Sequence, residues 1–297
     1  MQNRRPSGSA RKSASRGGSR RKSNIDKSNR RLAWILGLAV VAVVVALAFS
    51  AHGGDKATAT EADGSLEAVI TNPDLPEKLI SYTGMTVSFN PETHQPNWVS
   101  WELLPSETDG ESGRSDKFRG DDSVEGSAET WDYSYSGYDR GHMAPAGDMK
   151  WSPKAMEESF LMTNICPQAA DLNRGSWKKL EEKCRQKAIA DSAIIIVCGP
   201  IFRKGEAVER IGETGVAVPR QFFKVILSPY ADPPTAIGFI MPNGPVPGGM
   251  QTHAVSVDSV EAVTGHDFFS ALPDQLEQQL EKQCNFPAWS RIRRNKR

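Results

Sequence analysis

Cysteine is scarce in this sequence and poorly spaced for metal work. The 297 residues contain four, Cys166, Cys184, Cys198 and Cys284, and no two stand in a CxxC pair. None therefore shows the CxxC spacing of a zinc site. No local cysteine signature marks a catalytic thiol either, so the four are core residues or disulfide partners, with three full pairings open. Net charge is lacking too, with 36 Lys+Arg against 36 Asp+Glu. The balance is uneven along the chain: residues 1–31 carry eleven of the bases and one acid, Asp26, which leaves 25 bases against 35 acids and a net of −10 beyond them. A domain that acidic is not a passive, charge-driven binder of polyanions. Contact with a nucleic acid must be confined to a local basic cleft helped by a metal ion, and Arg114, Arg119, Arg140, Arg174, Lys178, Lys179 and Arg185 are the cations at hand. Internal repeats are missing as well, which excludes a solenoid or propeller.

A long uncharged apolar run is present only once. Residues 32–51, LAWILGLAVVAVVVALAFSA, are long enough to cross a bilayer core as one helix. The basic, Ser/Gly-rich residues 1–31 before it cannot bury enough apolar surface to fold and read as a disordered cytoplasmic tail. The run is therefore expected to be a transmembrane signal anchor that places everything after it outside the cytoplasm, on the periplasmic or extracellular face. Cleavage near Ala46, Ala48, Ser50 and Ala51 would instead release a secreted domain. Residues 52–75 read as a polar linker and residues 76–290 as the folded domain.

Within that domain, residues 86–90 and 96–103 alternate apolar and polar positions and predict a hairpin. Residues 105–131 are acidic and rich in Gly and Ser, a surface loop carrying Arg114. A short helix is expected over 152–158, a strand over 160–165 ending at Asn164, and a helix opened by Asn173 that runs to about residue 190. Buried strands follow at 193–198, 218–227 and 236–241, then amphipathic helices at 257–263 and 273–283. The sum is an α+β fold with a central antiparallel sheet flanked by helices.

Residues 136–148, SGYDRGHMAPAGD, place Arg140, Gly141 and His142 side by side. A guanidinium offers a planar fork of donors to phosphate oxygens, a neutral imidazole takes a proton from water near pH 7, and glycine permits close backbone approach. That set suits attack on a phosphate ester. Asp139, next to Arg140, reads as the acid that orients it, and Asp148 and His266 read as structural. Along the helix from Asn173, Trp177, Glu181 and Arg185 recur every four residues and form one stripe. On the residues alone, Glu181 is a surface acid paired with Arg185.

The run YDRGHMAPAGD, followed by FLMTNICPQAADLNRGSWKKLEEKCR over residues 160–185, resembles the DNA/RNA non-specific endonuclease family in order and spacing. The looser similarity extends over residues 79–285. The resemblance implies a ββα-metal active-site motif and a metal-dependent endonuclease acting on DNA and RNA. It implies His142 as general base and Arg140 and Arg185 as clamps on the phosphate or transition state. Asn164 becomes a positioning amide, and Asn173 the direct ligand of Mg2+, with Mn2+ as a possible substitute. Glu181 becomes a holder of a metal-bound water. Arg114 matches a substrate-binding arginine of the family with its spacing one residue off. Two other readings use the same residues: a phosphodiesterase or phosphatase acting on small nucleotides, and a catalytically degenerate, membrane-tethered nucleic-acid-binding protein. A competent residue at every implied catalytic position argues against the last.

Overall fold

Period-two alternation builds the centre of the molecule. The structure, a computed structural model, describes residues 65–292. In chain order come β1 (Val69–Ile70), β2 (Lys78–Ser81), β3 (Thr86–Asn90) and β4 (Gln95–Leu103). Next are β5 (Asp139–His142), α1 (Pro153–Glu158), β6 (Ile165–Gln168) and α2 (Lys178–Asp191). The chain returns through β7 (Ile194–Ile201), β8 (Arg210–Ile211), β9 (Val216–Ala217), β10 (Gln221–Ser228), β11 (Thr235–Pro242) and β12 (Ala254–Val255). The last described elements are α3 (Val257–Thr264), β13 (Asp267–Phe268), α4 (Asp274–Glu281) and α5 (Phe286–Trp289).

Seven strands form an antiparallel sheet in the order β12-β11-β10-β7-β4-β3-β2. The expected hairpin is its β3–β4 pair, with Val87 opposite Val99. β7 is buried along its whole length because both sheet faces are covered. On one face Ile194, Ile196 and Cys198 join Val99, Trp101, Phe222 and Ile226, closed by Leu180, Cys184 and Ala188 of α2. On the other Ile195 and Val197 join Trp98, Phe223 and Val225, closed by Val257 and Val260 of α3 and Leu280 of α4. Double coverage is why these strands read as nearly continuous apolar runs. Each such side chain contributes about 1.5–3 kcal/mol by leaving water, so truncating one, as in Leu180→Ala, costs about 2–5 kcal/mol.

Local signals fix the helices. Ser152 Oγ accepts from the Ala155 amide at 3.3 Å, and Pro153 occupies the first turn of α1. Ser256 caps α3 in the same way, and Gly265, at φ +72°, ends it in the left-handed conformation that glycine adopts without steric cost.

Four expectations change. Residues 65–75 belong to the folded unit rather than to a linker: Val69 pairs with Phe268, and Leu66 and Val69 pack on the second core. The apolar stretch 160–165 is not a strand. Met162–Asn164 is a turn of 3-10 helix, and β6 starts at Ile165, after Asn164 rather than before it. The helix expected from Asn173 is interrupted, because Leu172–Trp177 is a π-helical turn with Gly175 outside helical backbone space at φ −102°, ψ −110°. All four cysteines are free, with Cys166, Cys184 and Cys198 in the core and Cys284 exposed, so none of the open disulfide pairings is made. The tail at 1–31 and the apolar run at 32–51 lie outside the described residues. Among those described, no helix is long and apolar enough to cross a membrane.

Candidate active site

β5 carries the DRGH segment and pairs antiparallel with β6, with His142 opposite Ile165 and Gly141 opposite Cys166. Gly141 serves packing, since a Cβ there would lie 2.2 Å from Gln168 Oε1. His142 is 8% exposed. It packs against Phe160 at 4.9 Å edge-on and against Phe118 at 5.3 Å, and its Nε2 has no hydrogen-bond partner. Burial, reinforced by the positive charge of Arg114 and partly opposed by Asp116, drives the imidazole down to about 3, so it is neutral at physiological pH.

The aromatic pair is a platform for cations. Arg114 stacks over Phe160 at 5.1 Å, and Arg140 over Phe118 at 5.5 Å and Tyr133 at 6.0 Å. Arg140 Nη2 donates to the Thr130 carbonyl at 2.6 Å, while its buried Nε has no partner. Arg114 also pairs with Asp116. The loop is pinned here by backbone bonds from the Arg119 amide to the Phe160 carbonyl and from the Met162 amide to the Arg119 carbonyl. The loop arginine and the motif histidine thus share one ring.

Asn164 is fully buried and its amide is occupied. Its Oδ1 accepts from the Ala144 amide, and its Nδ2 donates to the carbonyls of Ala144 and Ser159, all at 2.9 Å. Its own carbonyl accepts from the Met143 amide at 3.0 Å. It fixes the chain just beyond His142 and touches no open surface.

Asp139 does not orient Arg140. It accepts from Asn173 Nδ2 at 3.0 Å and is held bidentately by Arg174 at 2.8 and 2.5 Å, which together keep its carboxyl below the ordinary range despite burial. The π turn makes this possible by turning Asn173 off the axis of α2 and towards β5. With the amide nitrogen committed, Oδ1 is the group Asn173 has left to offer.

Glu181 and Arg185 stay on α2, yet the expected pair between them is not formed. Arg185 Nη1 donates instead to Asp148 Oδ1 at 2.7 Å, and Asp148, fully buried, also accepts from Trp101 Nε1 at 3.2 Å. Glu181 is half-buried; desolvation, with Asp148 adding to it and Lys224, Arg185 and Arg114 opposing, raises its carboxyl to about 7. Lys224 lies beneath this group, fully buried between the rings of Trp177 at 4.6 Å and Trp101 at 5.0 Å. Burial disfavours its charge, but Cys198, Cys184, Glu181 and Asp148 around it outweigh burial and hold it above the ordinary lysine range.

The family model for DNA/RNA non-specific endonucleases matches residues 64–275. The chain belongs to the DNA/RNA non-specific endonuclease family. Among curated relatives of this endonuclease, zebrafish (Danio rerio) mitochondrial nuclease EXOG is 36% identical over 76% of the chain and 70% of the relative. Human mitochondrial endonuclease G is 33% identical over 63% and 68%, and a nuclease of Nostoc is 32% identical over 67% and 76%. Among solved structures, a chain of the EndoG/EndoGI complex, described for the mechanism of EndoG inhibition, superposes with a TM-score of 0.65 at 27% identity, over 74% of this chain and 96% of that one.

Several parts of this endonuclease's site escaped the sequence reading. Phe118 and Phe160 form the platform, Asp139 orients Asn173, Asp148 tethers Arg185, and Lys224 supports the Glu181 side. Lys224 alone left a signal: a cation in the middle of QFFKVILS, a strand otherwise apolar between Gln221 and Ser228. Arg174, Lys178 and Lys179 are exposed, and Arg174 shares Asp139 with Asn173.

Proposed function

We propose that the folded unit is a metal-dependent endonuclease that hydrolyses phosphodiester bonds of DNA and RNA without strong sequence preference. The observation that carries the reading is His142, a neutral imidazole whose buried Nε2 has no partner, on a platform shared with the guanidiniums of Arg114 and Arg140. His142 takes the proton from the attacking water. Its basicity is low in the protein alone, but an anionic phosphate held beside the ring favours the imidazolium and raises it. Arg140, Arg114 and Arg185 hold phosphate oxygens and offset the charge that builds on them. Asn164 keeps the chain beyond His142 in register with Ser159, so the ring meets the substrate at a fixed position.

The donors at Asn173 and Glu181 are hard oxygens, an amide and a carboxylate, and fit Mg2+, with Mn2+ able to replace it. Asn173 would bind the ion directly, with its amide set by Asp139, and Glu181 would bind through a water. When bound, the ion supplies charge compensation at the phosphate and at the leaving oxygen. The charge asymmetry of residues 1–31 and the apolar run at 32–51 support a membrane anchor with the folded unit outside the cytoplasm.

Incubation of residues 52–297 with supercoiled plasmid and with RNA, with and without chelator, tests the reading. Nicking of the plasmid and digestion of the RNA are expected in Mg2+, and neither in chelator. No cleavage of either polymer in Mg2+ or Mn2+ would refute it, and hydrolysis confined to small nucleotides would make the protein a nucleotide phosphodiesterase.

A further inference from the structure

On the sheet face away from α2, three carboxylates converge. One oxygen from each of Asp258, Glu261 and Glu281 lies within 4.8 Å of the others. Asp258 and Glu261 stand on α3 and Glu281 on the last turn of α4. Glu281 is 6% exposed, and its Oε1, out of contact with water, has no hydrogen-bond partner. Glu261 Oε1 accepts from the Phe268 amide at 2.9 Å. None of the ion pairs among the described residues engages these three or the neighbouring Glu277. Burial and the surrounding acids push the Glu281 carboxyl up to about 9 and that of Glu277 to about 7. A buried carboxylate beside two others needs a positive partner, and no ion pair among the described residues supplies one.

We propose that Asp258, Glu261 and Glu281 form a binding site for a hard divalent cation such as Ca2+. Two oxygens on one ion lie at most twice the metal–oxygen distance apart, about 4.8 Å for Ca2+ bound at about 2.4 Å but only about 4.2 Å for Mg2+ at about 2.1 Å. Oxygens within 4.8 Å of one another fall inside the Ca2+ limit, so one such ion can touch all three. All donors are carboxylates, with no thiol or imidazole among them, which selects a hard cation over Zn2+ or Cu2+. Asp258 is exposed, so water completes the coordination on that side. The bound ion ties the first turn of α3 to the end of α4, the helices that close the second core through Val257, Val260 and Leu280. Its effect is on stability, and it is independent of the chemistry at His142, which lies on the other side of the sheet.

The test uses the whole chain, stripped with chelator and titrated with CaCl2, comparing wild type with Glu281→Gln and Asp258→Asn. At a hundredfold excess over Kd, the thermal midpoint of wild type is expected to rise by about 5–10 °C. Both variants should lose most of that rise and bind one fewer Ca2+ by calorimetry, while nicking in Mg2+ stays unchanged. Asp258 is exposed on a helix, so Asp258→Asn carries the comparison if Glu281→Gln does not fold. No rise in wild type, or the same rise and stoichiometry in wild type and variants, would overturn the site and leave a proton-sharing acid cluster.

Discussion

His142 should make the stability of this protein fall steeply in mild acid. Its folded value, about 3, lies below the ordinary 6.5 because burial penalises the imidazolium. The unfolded chain therefore binds a proton that the folded one refuses. By linkage, this contribution is intact above the unfolded value and is lost progressively as pH falls towards the folded one. Between about pH 7 and about pH 4.5 the two titration curves give a loss of about 2.5 kcal/mol from this one group. Urea unfolding followed by tryptophan fluorescence at both pH values measures it in wild type and in His142→Gln, whose amide does not titrate. Other groups, among them His266, which burial lowers to about 4, contribute to both proteins and cancel in the comparison. The variant should lose about 2.5 kcal/mol less than wild type over the same interval. Equal losses would mean that His142 is solvated or already protonated in the folded state, and its reading as a desolvated neutral base would fail.

Four other outcomes follow from the same geometry. His142→Ala should lower the rate of plasmid nicking by about a hundredfold or more while substrate binding, measured by gel shift in chelator, survives. Asn173→Ala should raise the Mg2+ concentration needed for half-maximal activity more than Glu181→Ala does, because the first removes a direct ligand and the second a water-mediated one; metal titration of initial rates ranks them. Asn164→Ala strands the amide and carbonyl of Ala144 and the carbonyl of Ser159, and should cost about 3–5 kcal/mol in chemical denaturation even though no open surface changes. Protease applied outside intact cells should release the folded unit by cutting near residues 55–64, and retention of the nuclease in the cytoplasm would refute the proposed anchor.

What could be read in the sequence was whatever a one-dimensional period records. The β3–β4 hairpin, the paired apolar runs of β7, β10 and β11, and the Ser-Pro start of α1 are local patterns, and the structure forms each within a few residues. Errors arose where a side chain overrides the period. The apolar residues before Asn164 are bent into a 3-10 turn by an amide that binds Ala144 and Ser159, a contact invisible to alternation. The helix at Asn173 had the right periodicity, but Gly175 leaves helical space and the turn aims Asn173 at Asp139. At the candidate site, the motif residues were legible while their supports were not. Asp148 and Lys224 are joined to Arg185 and the Trp101 and Trp177 rings across long stretches of chain, and no spacing rule connects them.

The order in which the chain is made gives one feature of the sheet a further meaning. β4 finds its neighbour in β7, with Val99 opposite Cys198, and residues 104–193, which hold every candidate catalytic group, are the loop closed by that pairing. On an emerging polypeptide, the β3–β4 hairpin and the DRGH segment are therefore synthesised well before the strand that joins them, and such distant pairings are slow to form. Leu180 and Cys184, which flank Glu181 on α2, pack on side chains of β7 and β10, so the helix that carries Glu181 has its sheet to rest on only once those strands arrive. The full set of candidate groups is thus brought together only as the sheet closes.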